Sequence, residues 1–222
     1  MKRKIIITSD GSTTIHLEDL NEQYHSIHGA IQEAYHVFIK AGLNHIIQKD
    51  SLEKIAILEI GFGTGLNAFI SCLEAERMKV VITYDGIEAY PVPTEEIKQL
   101  NYSQLLTDGN SQIFGHIHEV IWEKSHSITN YFNLKKRQLL FSEISTKNAY
   151  NLIYFDAFGA RVQPELWTEI IFKIMYDALI LNGILVTYSA KGSVRRAMQK
   201  VGFQVERLEG PPGKRHMLRA TK

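Results

Sequence analysis

The run Leu58-Glu59-Ile60-Gly61-Phe62-Gly63-Thr64-Gly65-Leu66-Asn67 constrains this chain more than any other segment, because it sets three glycines between an apolar stretch and an amphipathic one. Ile55 to Ile60 reads as a buried strand and Leu66 to Arg77 as a helix, so the glycines fall at a strand-to-helix bend. Glycine accepts positive φ and carries no Cβ, which lets the backbone approach a ligand closely at a strand end. A dinucleotide fingerprint, G-x-G-x-x-G, needs glycine where Leu66 stands, and a Walker loop needs a Gly-Lys-Ser/Thr that does not follow. What remains is G-x-G-x-G behind an acid, Glu59, or a tight structural turn without a ligand.

Around this bend, strands alternate with helices: a strand at Val80 to Ile87, a helix at Thr94 to Leu100, a buried strand at Asn151 to Phe155, a helix at Pro164 to Leu179, a strand at Ile184 to Tyr188 and a helix at Ser193 to Val201. Such alternation implies an α/β fold with a mostly parallel sheet. Phe203 to Leu208 and Met217 to Ala220 read as a closing hairpin around Gly210-Pro211-Pro212-Gly213. The chain opens with Ile5 to Thr8 and Thr13 to His16 on either side of the turn dipeptide Asp10-Gly11, and then a helix from Ile27 to Ala41 ended by Gly42. Residues 1–50 are therefore expected to form an N-terminal hairpin-and-helix extension packed on a domain of residues 51–222. Asn101 to Ala149 is the least periodic stretch, with a weak helix at Ile117 to Ile128 and a short strand at Tyr131 to Leu134.

Composition narrows the class. With 222 residues, 45% hydrophobic and 22% charged, the chain has apolar mass for one sizeable core. Ile170 to Tyr188, its most apolar long stretch, is interrupted by Lys173, Asp177 and Asn182, so no membrane span is expected. The basic head before Ile5-Ile6-Ile7 is too short for a signal peptide and reads as a first strand. Cys72 is the only cysteine, which excludes an internal disulfide and favours a reducing, cytoplasmic setting. The net charge of +1 conceals an asymmetry: residues 191–222 hold nine Lys/Arg against two Glu, leaving −6 for residues 1–190. That basic end is either a solvated face or a surface for a polyanion.

Two further strand ends carry chemistry. Glu88 closes the strand after the glycine bend, 23 residues beyond Gly65, where a carboxylate can accept paired ribose hydroxyls; alone, it would be a solvated acid. Asp156 follows Leu152-Ile153-Tyr154-Phe155 and is followed by Ala157-Phe158, so a carboxylate and an aromatic share one sheet edge. Such a pair can hold an amine and stack a flat ring; the alternative, a helix cap, is separated from Pro164 by several residues. Of the nine histidines, His25-x-x-His28 and His116-x-His118 are the closest pairs, and neither has an evident carboxylate or thiolate to complete a metal set; His25 and His28 are expected along the first helix. Trp167, Ile170, Ile171, Ile174 and Met175 have the spacing of a helix packed into a core.

In order along the chain stand Asp10-Gly11-Ser12, Tyr24-His25-Ser26 with Gly29-Ala30, Gly61 to Asn67, Glu88 with Tyr90-Pro91, Asp156-Ala157-Phe158, Pro164-Glu165-Leu166-Trp167, Thr187 to Gly192, and Gly210 to Arg215. This ordered set, covering nearly the whole sequence, resembles the MnmC-type tRNA methyltransferase domain. The resemblance implies a class I, Rossmann-like fold using S-adenosylmethionine, with the C-terminal antiparallel hairpin of that class. It also implies methylation of the exocyclic amine of 5-aminomethyluridine, usually 2-thiolated, at the tRNA wobble position. Tyr24, Ser26, Glu59, Gly61, Gly63, Gly65, Asn67, Glu88 and Asp156 are the implied cofactor site, and Asp156 and Phe158 the implied catalytic pair. Lys191, Arg195, Arg196, Lys214 and Arg215 are expected to contact phosphates of the tRNA anticodon region.

Two departures stand out: the family commonly has Ala-Pro after Asp-Ala-Phe, where this chain has Gly159-Ala160-Arg161, and its usual Gly-Asp pair has no clear match near Leu134-Lys135-Lys136. Larger relatives carry a flavin oxidase domain for which 222 residues leave no room, so methyl transfer alone is expected, downstream of enzymes that make the aminomethyl precursor. The rival readings are a small-molecule or protein methyltransferase with the same cofactor site, and a non-catalytic RNA-binding module of the same fold.

Overall fold

The computed structural model describes residues 2–50, 52–109 and 112–222. Strands β1 (Arg3–Ile7) and β2 (Thr13–Leu17) form the expected hairpin, with Ile5 opposite Ile15, and a short β3 (Glu22–Gln23) adds to β2. Gly11 takes φ +83 in the turn, while the Asp10 carboxylate accepts the N–H groups of Ser12 (3.1 Å) and Gln32 (3.0 Å) and so ties the hairpin to the helix that follows.

That helix differs from the expected one. α1 (Ala30–Ala34) runs into a more loosely wound i→i+5 stretch, Tyr35–Asn44, and on into α2 (His45–Asp50), so Gly42 lies inside the helical path and not at its end. Glycine is there for contact: a Cβ would lie 3.1 Å from Val186 Cγ2 and 3.3 Å from Tyr154 Cε1. The helix rests directly on the sheet, and a glycine that serves close packing looks, in one dimension, like a stop signal.

β4 (Lys54–Ile60), α3 (Leu66–Met78) and β5 (Val81–Ile87) follow the sequence reading closely. The next helix, α4 (Thr94–Ile97), stops short of Leu100, and α5 (Tyr102–Thr107) and α6 (Ile113–Glu119) follow. The helix expected over Ile117 to Ile128 is instead the end of α6, a turn and an antiparallel strand β6 (Ser125–Thr129). Pairing with β7 (Phe132–Arg137), Ser125 opposite Lys135, decides this segment, because neither helical nor strand periodicity is strong there. β7 runs three residues beyond the expected strand because Lys136 continues the inward face of Phe132 and Leu134, although it is charged.

β8 (Tyr150–Phe155) precedes a 3-10 turn, Pro164–Trp167, and α7 (Glu169–Ala178), with Thr168 extended between them, so the single helix expected from Pro164 is two pieces. This break rotates the face: Trp167, Ile171 and Met175 are buried, whereas Ile170, expected in the core, is 72% exposed. β9 (Leu179–Thr187) begins five residues before the expected Ile184, with a register shift against β8 near Tyr150. α8 (Gly192–Lys200), β10 (Gln204–Glu209) and β11 (His216–Thr221) complete the chain.

The main sheet has the order β10-β11-β9-β8-β4-β5-β7-β6. Its central strands are parallel, β11 and β10 form the antiparallel C-terminal hairpin, and β6 closes the opposite edge antiparallel. One face is covered by the first helical path and α3, where Phe38, Leu43 and Phe69 meet Ile57, Tyr84 and Tyr154; the other by α7 and α8, where Phe172, Met175 and Met198 meet Leu58, Ile153 and Leu185. The N-terminal residues thus share a core with the sheet. Cys72 is buried and free. No helix among the described residues is long and apolar enough to cross a membrane. The direction of winding reverses at β4, with β5 on one side and β8 on the other, which opens a crevice at the C-terminal strand ends.

Candidate active site

Register brings three distant residues to that crevice. Ile60 of β4 lies beside Ile87 of β5 and Phe155 of β8, so the residues that follow, Gly61, Glu88 and Asp156, emerge side by side. The Asp156 N–H donates to the Ile60 carbonyl (2.9 Å), and the N–H groups of Gly61 and Phe62 both reach the Ile87 carbonyl (3.0 and 2.9 Å). Gly61, Gly63 and Gly65 all have positive φ, at +90°, +50° and +73°. A Cβ on Gly61 would sit 2.7 Å from the Asp156 carbonyl oxygen, so this glycine is what lets the loop close against the end of β8.

The Glu88 carboxylate is shared between two backbone donors, Gly63 N–H on Oε2 and Tyr90 N–H on Oε1, both at 3.0 Å. Each oxygen keeps acceptor capacity for a second donor, as paired hydroxyls would supply. Burial raises its pKa, against the lowering effect of those two N–H groups.

Beneath the loop, the Asn67 amide in the first turn of α3 donates to Glu59 Oε1 and to Asp156 Oδ2, each at 2.9 Å. Glu59 is fully buried, and burial pushes its pKa well above the usual carboxylate range. Asn67 Oδ1 is buried without a hydrogen-bond partner, which costs about 1–3 kcal/mol, while Glu59 faces the buried Tyr84 hydroxyl. Burial, with Glu33 adding to it, pushes Asp156 up to about 7, and the Asn67 bond and Lys214 moderate the rise. Asp156 can therefore exchange a proton near neutral pH.

A cavity of about 790 Å³ opens over these groups, a volume suited to a cofactor with part of a substrate. Of the residues singled out from sequence, Tyr24, Gly61, Gly63, Glu88, Asp156 and Phe158 line it. Glu59, Asn67 and Gly65 support it from behind. Ser26 lies apart from the lining: its N–H donates to Glu33 Oε2 (2.9 Å) and its hydroxyl accepts the His28 N–H. Tyr24 and Phe158 meet edge to face at 4.9 Å, joining the N-terminal segment to the end of β8. Trp167 Nε1 donates to the Phe158 carbonyl (2.8 Å), which fixes the loop carrying that ring.

Arg195 is half-buried, and Lys191, Arg196 and Arg215 are exposed. Lys214 is different: its ammonium is paired with Glu33 and lies 4.5 Å over the Tyr188 ring.

Several lining residues escaped the sequence reading. His25, expected along the first helix with His28, instead precedes α1 and lines the cavity; its Nε2 is 2.6 Å from Thr64 Oγ1 of the glycine loop, and burial lowers its pKa to about 4, leaving it neutral. Arg3, paired with Glu96, and the segment Leu140 to Ser142 beyond β7 also face the cavity. Arg3 and Leu140 to Ser142 have no local motif; only the turn beyond a third parallel strand could have pointed to Leu140 to Ser142. Among the described residues, no group of three or more His, Cys, Asp or Glu is placed to hold a metal ion.

Residues 116–222 match a family described as S-adenosyl-L-methionine-dependent methyltransferase. The chain is 26% identical over 230 residues to the tRNA 5-methylaminomethyl-2-thiouridine biosynthesis bifunctional protein MnmC of Actinobacillus pleuropneumoniae, covering 92% of this chain and 33% of the relative. It is 28% identical over 212 residues to the protein of that name from Azoarcus sp., covering 88% of this chain and 32% of the relative. The chain thus spans about a third of the length of the curated relatives it matches. In structure it is similar to MnmC2 from Aquifex aeolicus, with a TM-score of 0.74 at 24% identity over 99% of this chain and 70% of that one. It shares its fold, at a TM-score of 0.60 and 14% identity, with spermidine synthase from Thermotoga maritima, over 99% of this chain and 69% of that one. The glycine bend against β8, the two-oxygen acceptor at Glu88 and the unpartnered Asn67 Oδ1 below it suit a nucleoside-bearing amino acid. By the family match over its C-terminal half, by fold and by relatives along most of its own length, the chain is similar to S-adenosylmethionine-dependent methyltransferases and to about a third of the MnmC proteins.

Proposed function

We propose that this protein methylates the exocyclic amine of 5-aminomethyluridine, with or without 2-thiolation, at the wobble position of tRNA. The observation that carries this reading is the pairing of Asp156 and Phe158 at one edge of the cavity, an acid poised near neutrality beside an aromatic ring, in a chain whose relatives are named for the biosynthesis of 5-methylaminomethyl-2-thiouridine in tRNA.

The Gly61 to Gly65 loop and Glu88 are assigned to the cofactor's nucleoside, with Glu88 accepting the ribose hydroxyls and Tyr24 covering the loop at Gly63. Glu59 and Asn67 shape the floor toward its amino-acid end. When bound, S-adenosylmethionine supplies a methyl group on a sulfonium, open to displacement by a nucleophilic nitrogen.

The remaining task of the chain is to deliver that nitrogen neutral and aligned. An aminomethyl group is largely protonated in water; Asp156, held by Asn67 and ionised above about pH 7, takes that proton directly or through water. Phe158, braced by Trp167 and Tyr24, offers a face or edge to the uracil ring. Alignment of this kind is worth roughly 7–11 kcal/mol, more than any one proton transfer supplies.

A splayed loop base is the form of tRNA such a pocket can read, while Lys191, Arg195, Arg196 and Arg215 are assigned to phosphates. This reading places the protein in the cytoplasm, consistent with its single unpaired cysteine, and after a reaction that installs the aminomethyl group. Incubating tRNA that bears 5-aminomethyluridine with protein and S-adenosylmethionine, followed by mass analysis of nucleosides, tests it. Gain of one methyl group on that nucleoside is expected; its absence with cofactor binding intact would overturn the substrate.

A further inference from the structure

Lys214 and Glu33 form an ion pair that surface chemistry does not require. Glu33 is buried in α1, with Oε2 accepting the Ser26 N–H while Oε1 receives the Lys214 ammonium. Lys214 comes from the turn between β10 and β11, where a Cβ on Gly213 would collide with the His28 ring, so that turn is seated on the segment before α1. The same ammonium lies over the Tyr188 ring at 4.5 Å, and the Tyr188 hydroxyl donates to the carbonyl of Ala157 (2.8 Å), the residue after Asp156. The contacts therefore run from the N-terminal segment through the C-terminal turn to the strand end that bears Asp156.

A desolvated ion pair is a weak stabiliser, since apolar residues of similar volume commonly do as well or better. Placed beside a working carboxyl group, it has another use. We infer that Lys214 and Glu33 are positioning residues, which clasp the two ends of the chain over Tyr188 and together balance the charge that Asp156 experiences when it receives an acceptor amine. This inference rests on the proposed role of Asp156 and assigns Lys214 to the site and not to tRNA phosphates.

Asp156 is faced by Glu33 from α1, Lys214 from the C-terminal turn, Asn67 from α3, Glu59 from β4, Tyr84 from β5 and Tyr188 just beyond β9. Glu33 favours the protonated form and Lys214 the ionised one, so the two members of the pair act on Asp156 in opposite directions. A purely structural clasp has no such signature, because breaking it from either side has the same consequence.

The test is a pH titration of the Asp156 carboxyl carbon by NMR in cofactor-free protein labelled at aspartate, with the resonance identified by its loss in Asp156→Asn. Relative to wild type, Glu33→Gln is expected to lower the midpoint and Lys214→Met to raise it, each by about half a pH or more. Lys214→Arg should keep it in place, and Glu33→Gln combined with Lys214→Met should return it toward wild type. Melting temperatures identify variants that are unfolded; Lys214→Gln substitutes for Lys214→Met if that variant does not fold. Displacement in the same direction in both single variants, or in neither, would overturn the inference. The titration uses neither tRNA nor methyl transfer, so it fails independently of the substrate assignment.

Discussion

At Gly63 the backbone has φ +50° and a Cβ would lie 3.1 Å from Tyr24 Cδ1, so a branched side chain there is strained by its own backbone and pushes on the ring that covers the loop. Gly63→Val is expected to abolish S-adenosylmethionine binding while leaving the fold intact, and calorimetric titration checks it; unchanged affinity in a folded variant would remove the loop from the cofactor site. Asp156 makes two claims at once. As the group that accepts a proton, its replacement in Asp156→Asn should lower turnover by roughly 100- to 10,000-fold with cofactor affinity nearly unchanged, and the wild-type rate should rise with pH through about 7. As a buried acid whose folded pKa of about 7 exceeds its ordinary 3.8, it makes the native state bind more protons than the unfolded state between those values. Its presence therefore costs stability progressively as pH rises from about 4 to 7, and the whole cost remains above 7. Asp156→Asn, which keeps an acceptor for Asn67, should be more stable than wild type at pH 8, by roughly 1–4 kcal/mol, with the difference vanishing near pH 4. Urea unfolding at the two pH values measures this, and an Asn variant no more stable at pH 8 would show that Asp156 is ionised at little cost.

Among the elements, the helical path from Ala30 to Asp50 shapes the cavity indirectly, because it packs on the sheet beside the preceding Tyr24 and His25, which line the cavity. Its seat depends on Gly42, which lets the helix approach Val186 and Tyr154 more closely than a side chain would allow. Gly42→Val should force helix and sheet apart and destabilise the protein by about 1–3 kcal/mol, even though valine is the better helix former. Urea denaturation reads this directly, and a variant as stable as wild type would mean that the helix has room to shift. The loop after β8 shows the same dependence on partners: Arg161, one of the residues that depart from the family pattern, donates to the carbonyl of Asn21 (2.8 Å) and approaches Glu22. It binds the loop bearing Gln163 and Glu165 to the N-terminal sheet.

Over the whole molecule, charge is divided. The C-terminal 32 residues carry the positive excess, yet Lys214 is occupied by Glu33 and Arg219 by Glu206, so the basic surface is smaller than the sequence count suggests. α8 buries Val194 and Met198 and leaves Arg196 exposed and Arg195 half-exposed. Reversing Arg195 and Arg196 to Glu is expected to weaken tRNA binding and flatten its log-log dependence on salt by about one unit for each phosphate no longer neutralised, with cofactor affinity unchanged. Titrations at several salt concentrations check this; equal affinities and slopes in mutant and wild type would make the run a soluble face.

The glycine bend, the acids at Glu88 and Asp156 and the alternating strands were legible in the sequence because each depends on local chemistry: positive φ, apolar periodicity and the end of a strand. Contacts between residues far apart were not. Asn67 meets Asp156 across 89 positions and Lys214 meets Glu33 across 181, and no spacing rule links them. Gly42 reads as a helix stop and the strand at Lys136 as ended by Leu134, since the glycine serves a surface that only the sheet provides and Lys136 buries its stem while its ammonium donates to the His118 carbonyl (2.8 Å). The sequence by itself determined which residues stand at those strand ends. Only the tertiary structure decided which side chains surround them, because desolvation and pairing, which set the proton affinity of Asp156, exist only once the sheet, the N-terminal helix and the C-terminal turn have closed on one another.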